Sequence, residues 1–491
     1  MTERQKKLAL LACLLTIVLA ILDQNIVSAA TVKIVRDLDP VHGLELLPWL
    51  VTAYGLAATA ALPLYGKLCD VYGAKRVFVA AIAVFLAGSA LCGMAQSMAE
   101  LIAFRAVQGI GGGGLMSVTM VVIAQMADAK KRAGQSGMAG LVAGLGMVVG
   151  PLVGGLLADS ASWRWIFYVN LPLGAVALTI AATALHLPVH GRRHRIDFFG
   201  AGLVAAAASV LLLITEWGGR SYPWSSARIL GLIGLGFVLI VLFMWRQATA
   251  AEPILPLGLF RNATLRIAIP VQALIGVAMT GSIVYVMVYL QVVRGIPATR
   301  AGLYLIPMAA GMTVAGTIAG KLMARDWPVK WFVIAGSACV LLGTLALGTV
   351  GVSTPSWRIW LALSVFGAGL GQLLGQLIIV SQQAVPPRLL GVTTTAVRFG
   401  QTLGGALGAA VFGTVLTRVY SAKAPGGAAL DAVPAALRPQ ALHAFVSAID
   451  VVFLGAAGVA AVMLLLALRL RVSWSTALDD AAERPSPALS R

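Results

Sequence analysis

Gly66-Lys67-Leu68-Cys69-Asp70-Val71-Tyr72-Gly73-Ala74-Lys75-Arg76 is a short polar stretch between two apolar runs, one beginning near Leu46 and the other near Val77. The stretch holds three bases and one acid, whereas residues 46–65 and 77–95 hold no charge at all. At 1.5 Å per residue, about twenty apolar residues cross the roughly 30 Å of hydrocarbon in a bilayer. The pattern is therefore two membrane helices joined by a tight loop, with glycines for the turn and bases that hold it on one side.

The same alternation continues in both directions. Apolar runs begin near Leu8, Leu46, Val77, Ala99, Gly134, Trp163, Phe198, Ala227, Ile267, Ala298, Trp331, Trp357, Val392 and Ile449. Those near Ala99 and Ala298 are interrupted by Gly or Pro. The reading is an all-α membrane protein with 14 transmembrane helices. Composition agrees: 59% of the 491 residues are hydrophobic and 11% charged, where a soluble domain carries about a quarter charged residues. The 54 glycines suit helices that must approach closely without a hydrophobic effect between them. The run from Leu8 to Val27 is too long for a signal-peptide core and contains Asp23, so Ser28-Ala29-Ala30 is not read as a cleavage site and the first helix is retained.

A net charge of +18 does not point to nucleic acid, because the bases are not gathered on one aromatic-interleaved face. They sit between apolar runs. With the N-terminus inside, the inner segments hold 23 of the 36 Lys and Arg residues and the outer ones 11, while Arg105 and Arg398 fall within apolar runs. This bias predicts both termini in the cytoplasm. Cys13, Cys69, Cys92 and Cys339 show no CxxC spacing, and neither a disulfide nor a metal site is expected.

An internal repeat organises the chain. Gly66-Lys67-Leu68 recurs as Gly320-Lys321-Leu322, and Gly146, Gly150, Gly154 recur as Gly400, Gly404, Gly408, both at an offset of 254. Two six-helix halves follow, an N-terminal bundle over 1–190 and a C-terminal bundle over 261–471. Two inserted linker helices occupy 191–260, and 472–491 form a polar tail. Parallel halves with a substrate site between them are a known transporter plan.

Several motifs in order resemble the major facilitator superfamily, in its fourteen-helix drug:proton antiporter branch. The 66–76 loop is similar to that superfamily's signature loop. Arg105-Ala106-Val107-Gln108-Gly109 resembles its Arg-x-x-Gln-Gly motif, and Gly146-x-x-x-Gly150-Pro151-x-x-Gly154-Gly155 its antiporter motif. Trp163-Arg164-Trp165-Ile166-Phe167 and Asn170-Leu171-Pro172 match the start of its sixth helix. The resemblance implies the major facilitator fold, proton coupling, and a helix-five seal that favours exchange over leak.

The residues also carry a physical reading of their own. Asp23 lies about 22 Å along the first helix from Leu8; a carboxylate at that depth is costly, faces a cavity and makes a natural proton carrier. Arg105 keeps its proton, so it either tunes that coupling by pairing with a carboxylate or makes a fixed packing bond. Gly66 and Gly73 allow the turn, Asp70 can accept hydrogen bonds from a neighbouring helix N-terminus, and Lys75 and Arg76 can hold that carboxylate or meet anionic lipid. Together these five form a candidate gate, one-sided because Ala324 stands where the second copy would need the acid. Gly146, Gly150, Pro151, Gly154 and Gly155 make a smooth, kinked helix face. Asn25, Tyr54, Gln108, Tyr285, Gln372, Gln376 and Arg398 are candidates for the substrate cavity. Glu216 and Asp450 are placed at helix ends, as interfacial residues.

The sequence lacks a phosphate-binding Gly-x-x-x-x-Gly-Lys-Ser/Thr loop, since Gly316 to Lys321 has the wrong spacing and Leu322 replaces the hydroxyl. It shows neither a catalytic triad nor a channel-like filter. The expected function is export of small lipophilic drugs or antibiotics across the cytoplasmic membrane by alternating access, with protons as the coupling ion and no other cofactor. The expected partners are lipophilic substrates and membrane lipids, on a monomer. The alternatives are a lipid or glycolipid exporter on the same scaffold and a transport-inactive membrane sensor.

Overall fold

The computed structural model describes residues 3–39, 43–126, 153, 156–157, 162–187, 197–219, 221–250, 253–325, 327–386, 389–424 and 434–470. Thirteen helices of fifteen residues or more occupy them: α1 (Glu3–Leu38), α2 (Gly43–Tyr72), α3 (Ala74–Met94), α4 (Met98–Met126), α5 (Asn170–Ala184), α6 (Phe198–Trp217), α7 (Ala227–Thr249), α8 (Leu265–Val288), α9 (Ile306–Met323), α10 (Val329–Leu347), α11 (Ser356–Gln383), α12 (Leu390–Lys423) and α13 (Arg438–Leu468). Among the described residues, twelve helical stretches are long and apolar enough to cross a membrane. Each apolar run read from the sequence corresponds to one of these helices, except the run beginning at Gly134, which lies outside the described residues together with Gly146, Gly150, Pro151, Gly154 and Gly155.

Three boundaries differ from the sequence reading. α1 continues through Lys33 and Arg36, and Asp23 lies just past the middle of this 36-residue helix. α4 is one unbroken 29-residue helix through Gly111–Gly114. There the glycines hold the helix against its neighbours: a Cβ on Gly111 would overlap the backbone of Phe85, and one on Gly113 the carbonyl of Ala58. Close packing of this kind offsets the roughly 1 kcal/mol that each glycine costs a helix. α13 begins at Arg438, so Asp450 is an internal residue and not one at a helix start. The Ala298 run is broken as expected, with a short turn at Ala298–Ala301, a 3-10 turn at Gly302–Leu305, and Pro307 in the first turn of α9.

Apolar cores form separately at the two ends of the sequence. Residues of α1 to α5 build one set, with Phe78, Phe85, Leu115, Val118 and Ala181 towards one end and Ile26, Ile34, Leu50, Met98 and Phe167 towards the other. Residues of α8 to α13 build another, around Val271, Ile275, Phe366, Leu370, Val452 and Phe453. Within it α12 lies hard against α8: Cβ atoms on Gly404 and Gly408 would meet the backbone of Ala273 and Val277.

The α6–α7 hairpin sits beside both sets. α6 packs against α2 and α12, while α7 turns Phe237, Val238, Val241 and Trp245 outward. Asp197 caps α6, accepting from the Gly200 amide at 3.0 Å and from the Arg246 guanidinium of α7 at 3.0 Å. Burial works against its charge, but these donors outweigh it and hold the carboxyl below the ordinary Asp range.

Candidate functional site

The first half buries a closed polar cluster around Asp23, which is fully inaccessible, as are Ser89, Gln108 and Asn170. Arg105 Nη1 donates to Asp23 Oδ2 at 2.8 Å and to Gln108 Oε1 at 2.8 Å, and its Nε donates to the Leu50 carbonyl at 3.1 Å. Gln108 Nε2 and Asn170 Nδ2 both donate to Asp23 Oδ1, at 2.7 and 2.9 Å. The same two amides donate to Ser89 Oγ at 3.1 and 3.0 Å, and Ser89 Oγ donates to the Phe167 carbonyl at 2.9 Å. The Arg105 guanidinium lies 4.3 Å from the centre of the Tyr54 ring, and both side chains are buried, which strengthens a cation–π contact.

Five elements converge here. α1 brings Asp23, α2 Leu50 and Tyr54, α3 Ser89, α4 Arg105 and Gln108 one turn apart, and the start of α5 Asn170. Glycine permits the approach, since a Cβ on Gly88 would overlap the Gln108 backbone and one on Gly109 the Tyr54 carbonyl. Among the described residues, each side chain that contacts the carboxylate does so as a hydrogen-bond donor, and a carboxylate is acceptor-only. A proton arriving on either oxygen would face a donor, break a bond and leave Arg105 without its counter-ion.

A second constellation joins the halves. Asp70 Oδ1 accepts from the Gly391 amide at 2.9 Å and Oδ2 from the Val392 amide at 3.0 Å. These are the first turn of α12, whose own N-cap, Leu389, supplies no side-chain hydrogen bond. A carboxylate there satisfies two orphan N–H groups and meets the positive end of the helix dipole. The expected helix N-terminus is thus α12, and the partners of Asp70 are these amides rather than Lys75 or Arg76, which lie in the first turn of α3. Gly66 packs directly under α12, where a Cβ would overlap Thr395, and Gly73 makes the turn with φ 87°. Beside them, Gln382 Nε2 of α11 donates to Thr394 Oγ1 at 2.9 Å and to the Met120 carbonyl of α4 at 3.4 Å.

The cavity candidates divide. Tyr54 and Gln108 are buried members of the Asp23 cluster. Tyr285 belongs to the apolar core of the second half, Gln376 is fully buried in α11, and Gln372 Nε2 is turned to the Ala368 carbonyl at 3.2 Å. Arg398 Nη1 donates to Gln401 Oε1 at 2.9 Å, which also accepts from Gln272 Nε2 at 3.1 Å. The side chain of Asn25 lies outside the described residues. Asp450 of α13 has a buried Oδ1 without a hydrogen-bond partner among the described residues, and Glu216 lies in the last turn of α6. Trp163 Nε1 and Arg164 Nη1 both donate to Asp37 Oδ2 at the end of α1, at 2.8 and 2.7 Å.

Sequence reasoning did not assign roles to Ser89 and Asn170. Ser89 is the one hydroxyl of α3, within its apolar stretch after Arg76, and Asn170 stands in the Asn-Leu-Pro motif. Their isolation among apolar residues was the available signal, but only the packing shows that they face Asp23.

Residues 13–409 match the family model described as Major Facilitator Superfamily. The chain is similar to the multidrug transporter protein MdtP of Bacillus subtilis, 35% identical over 84% of this chain and 76% of that protein. It is also similar to multidrug resistance protein 3 of the same organism, 34% identical over 86% and 81%. Among solved structures, the human organic anion transporter MFSD10 superposes with a TM-score of 0.63 at 15% identity, over 94% of this chain and all of that one.

Proposed function

We propose that this chain, which belongs to the Major Facilitator Superfamily, exports small lipophilic drugs or antibiotics across the cytoplasmic membrane in exchange for protons. The family is one of transporters, so the chain is a carrier and not an enzyme. The names of the relatives support drug efflux. The acceptor-only Asp23 cluster carries the proposal of proton exchange.

In this reading the structure has its Asp70 end closed, with α2 and α12 joined by the Asp70 cap. That end is cytoplasmic, as the distribution of Lys and Arg predicts, and both termini lie there. A proton reaching Asp23 from the other side neutralises the counter-ion of Arg105. The five elements that meet at Asp23 then reset, the cap on α12 lets go and the Asp70 end opens to take up substrate. Loss of the proton to the cytoplasm rebuilds the pair. A membrane potential of about 150 mV delivers roughly 3.5 kcal/mol per proton, enough for a few hundredfold gradient at one proton per substrate.

The test is proton flux in proteoliposomes under an imposed pH gradient, on addition of lipophilic drugs, with Asp23→Asn alongside. Drug-triggered proton efflux that vanishes in the variant supports the reading. Flux that survives moves the proton site elsewhere, and a folded protein that moves protons for no drug argues against drug antiport.

A further inference from the structure

The second half contains a cavity of ≈ 800 Å³ between the first turns of α8 and α10 and the end of α13. It lies at the same end of the molecule as the Asp70 cap. Leu265 of α8 packs with Leu390 and Val392 of α12, and Asn262 Nδ2 donates to the Ala384 carbonyl at 3.0 Å. Three bases line it, Arg266, Lys330 and Arg469, with the apolar side chains of Ile267, Leu466 and Leu468 between them and no acid among the described residues.

The cavity opens at the surface, with Arg266 and Arg469 exposed and Lys330 half-buried. Three like charges share one cavity, and none of these side chains has a hydrogen-bond or ion-pair partner among the described residues. Arg266 and Lys330 also stand in the first turns of their helices, where the dipole is positive and acids are preferred. α10 starts without a side-chain cap, leaving its first N–H groups to other partners. Bases, an uncapped helix start and interleaved aliphatic carbons together suit a phosphate that carries hydrocarbon. Trp327 and Trp331, both more than half exposed, flank Lys330. Exposed indoles mark the depth at which lipid headgroups sit.

We propose that this cavity binds the headgroup of an anionic phospholipid. The phosphate lies among Arg266, Lys330 and Arg469, and the first methylenes lie against Ile267, Leu466 and Leu468. Basic pockets between membrane helices on the positively biased side recognise such headgroups, and each base contributes roughly fivefold in affinity, so three contribute roughly a hundredfold.

The experiment is native mass spectrometry of the full chain in detergent, titrated separately with phosphatidylglycerol and phosphatidylcholine. The unchanged chain is expected to prefer phosphatidylglycerol. The triple variant Arg266→Gln, Lys330→Gln, Arg469→Gln loses that preference, and Lys330→Gln alone reduces it roughly fivefold, which keeps the test if the triple variant does not fold. Equal binding of the two lipids to the unchanged chain overturns the proposal, as does a preference that both variants retain. Displacement of phosphatidylglycerol by millimolar inorganic phosphate makes this a site for a free anion and overturns the lipid. A preference that emerges only in the full chain carrying Asp479→Asn, Asp480→Asn and Glu483→Gln assigns the cavity to the chain's own acidic tail instead.

Discussion

The carboxylate of Asp70 and the backbone amide of Gly391, 321 residues apart in sequence, meet at 2.9 Å, so that one half of the molecule caps a helix of the other. α12 has a leucine where a capping side chain would stand, and the missing acceptor arrives from α2. Stability of the α12 start and closure of this end are therefore one interaction.

Replacing Asp70 by Ala removes both acceptors and should weaken closure by about 1–2 kcal/mol, the usual worth of a lost cap. Cys69, 2% exposed beside it, is the natural reporter once Cys13, Cys92 and Cys339 are changed to Ser. Its labelling by a membrane-permeant maleimide should quicken several-fold in Asp70→Ala. An unchanged labelling rate would mean that the cap does not hold this end shut.

Asp23→Asn leaves Arg105 buried without a counter-ion and should cost about 3–5 kcal/mol of stability. Adding Arg105→Gln removes the stranded charge, so the double variant should be more stable than the sum of the single losses. Thermal unfolding of all four proteins in one detergent measures the coupling. Strict additivity would show that the pair contributes nothing to the cluster.

Gly88→Ala places a methyl group against the Gln108 backbone and should destabilise by about 1–3 kcal/mol, the range for overpacking. Gly231 of α7 has nothing within 4 Å of its Cβ position, so Gly231→Ala should gain up to about 1 kcal/mol from helix propensity. Opposite shifts in Tm are expected, and equal shifts would remove the packing explanation.

The Asp197–Arg246 staple of the α6–α7 hairpin gives a dependence on pH. Because the folded protein holds the Asp197 carboxyl below its ordinary value, the stabilisation is fully present above the unfolded pKa of about 3.9 and fades as pH falls through the folded value. Melting of the unchanged chain and of Asp197→Asn should differ at pH 6 and converge as pH drops below about 4. A gap that persists at the lowest pH would place the effect in something other than this charge.

Hydrophobic runs near membrane thickness, broken by basic loops, were enough to reveal the helices, because backbone groups in lipid must be satisfied within each helix. The Arg-x-x-Gln-Gly and signature-loop residues were legible for the same kind of local reason: a charge or glycine inside an apolar run demands a partner or a close approach. What those residues touch was not legible. Ser89 and Asn170 complete the Asp23 cluster, and the Gly391 and Val392 amides receive Asp70, only because helices distant in sequence pack at a particular rotation. The ends of α1 and α13 also escaped the reading, since hydropathy falls at the membrane surface while backbone hydrogen bonding continues past it. Sequence determined where the described helices lie and which side chains need partners. Tertiary packing decided the partners, because hydrogen-bond geometry depends on ångström distances between helices that no local pattern encodes.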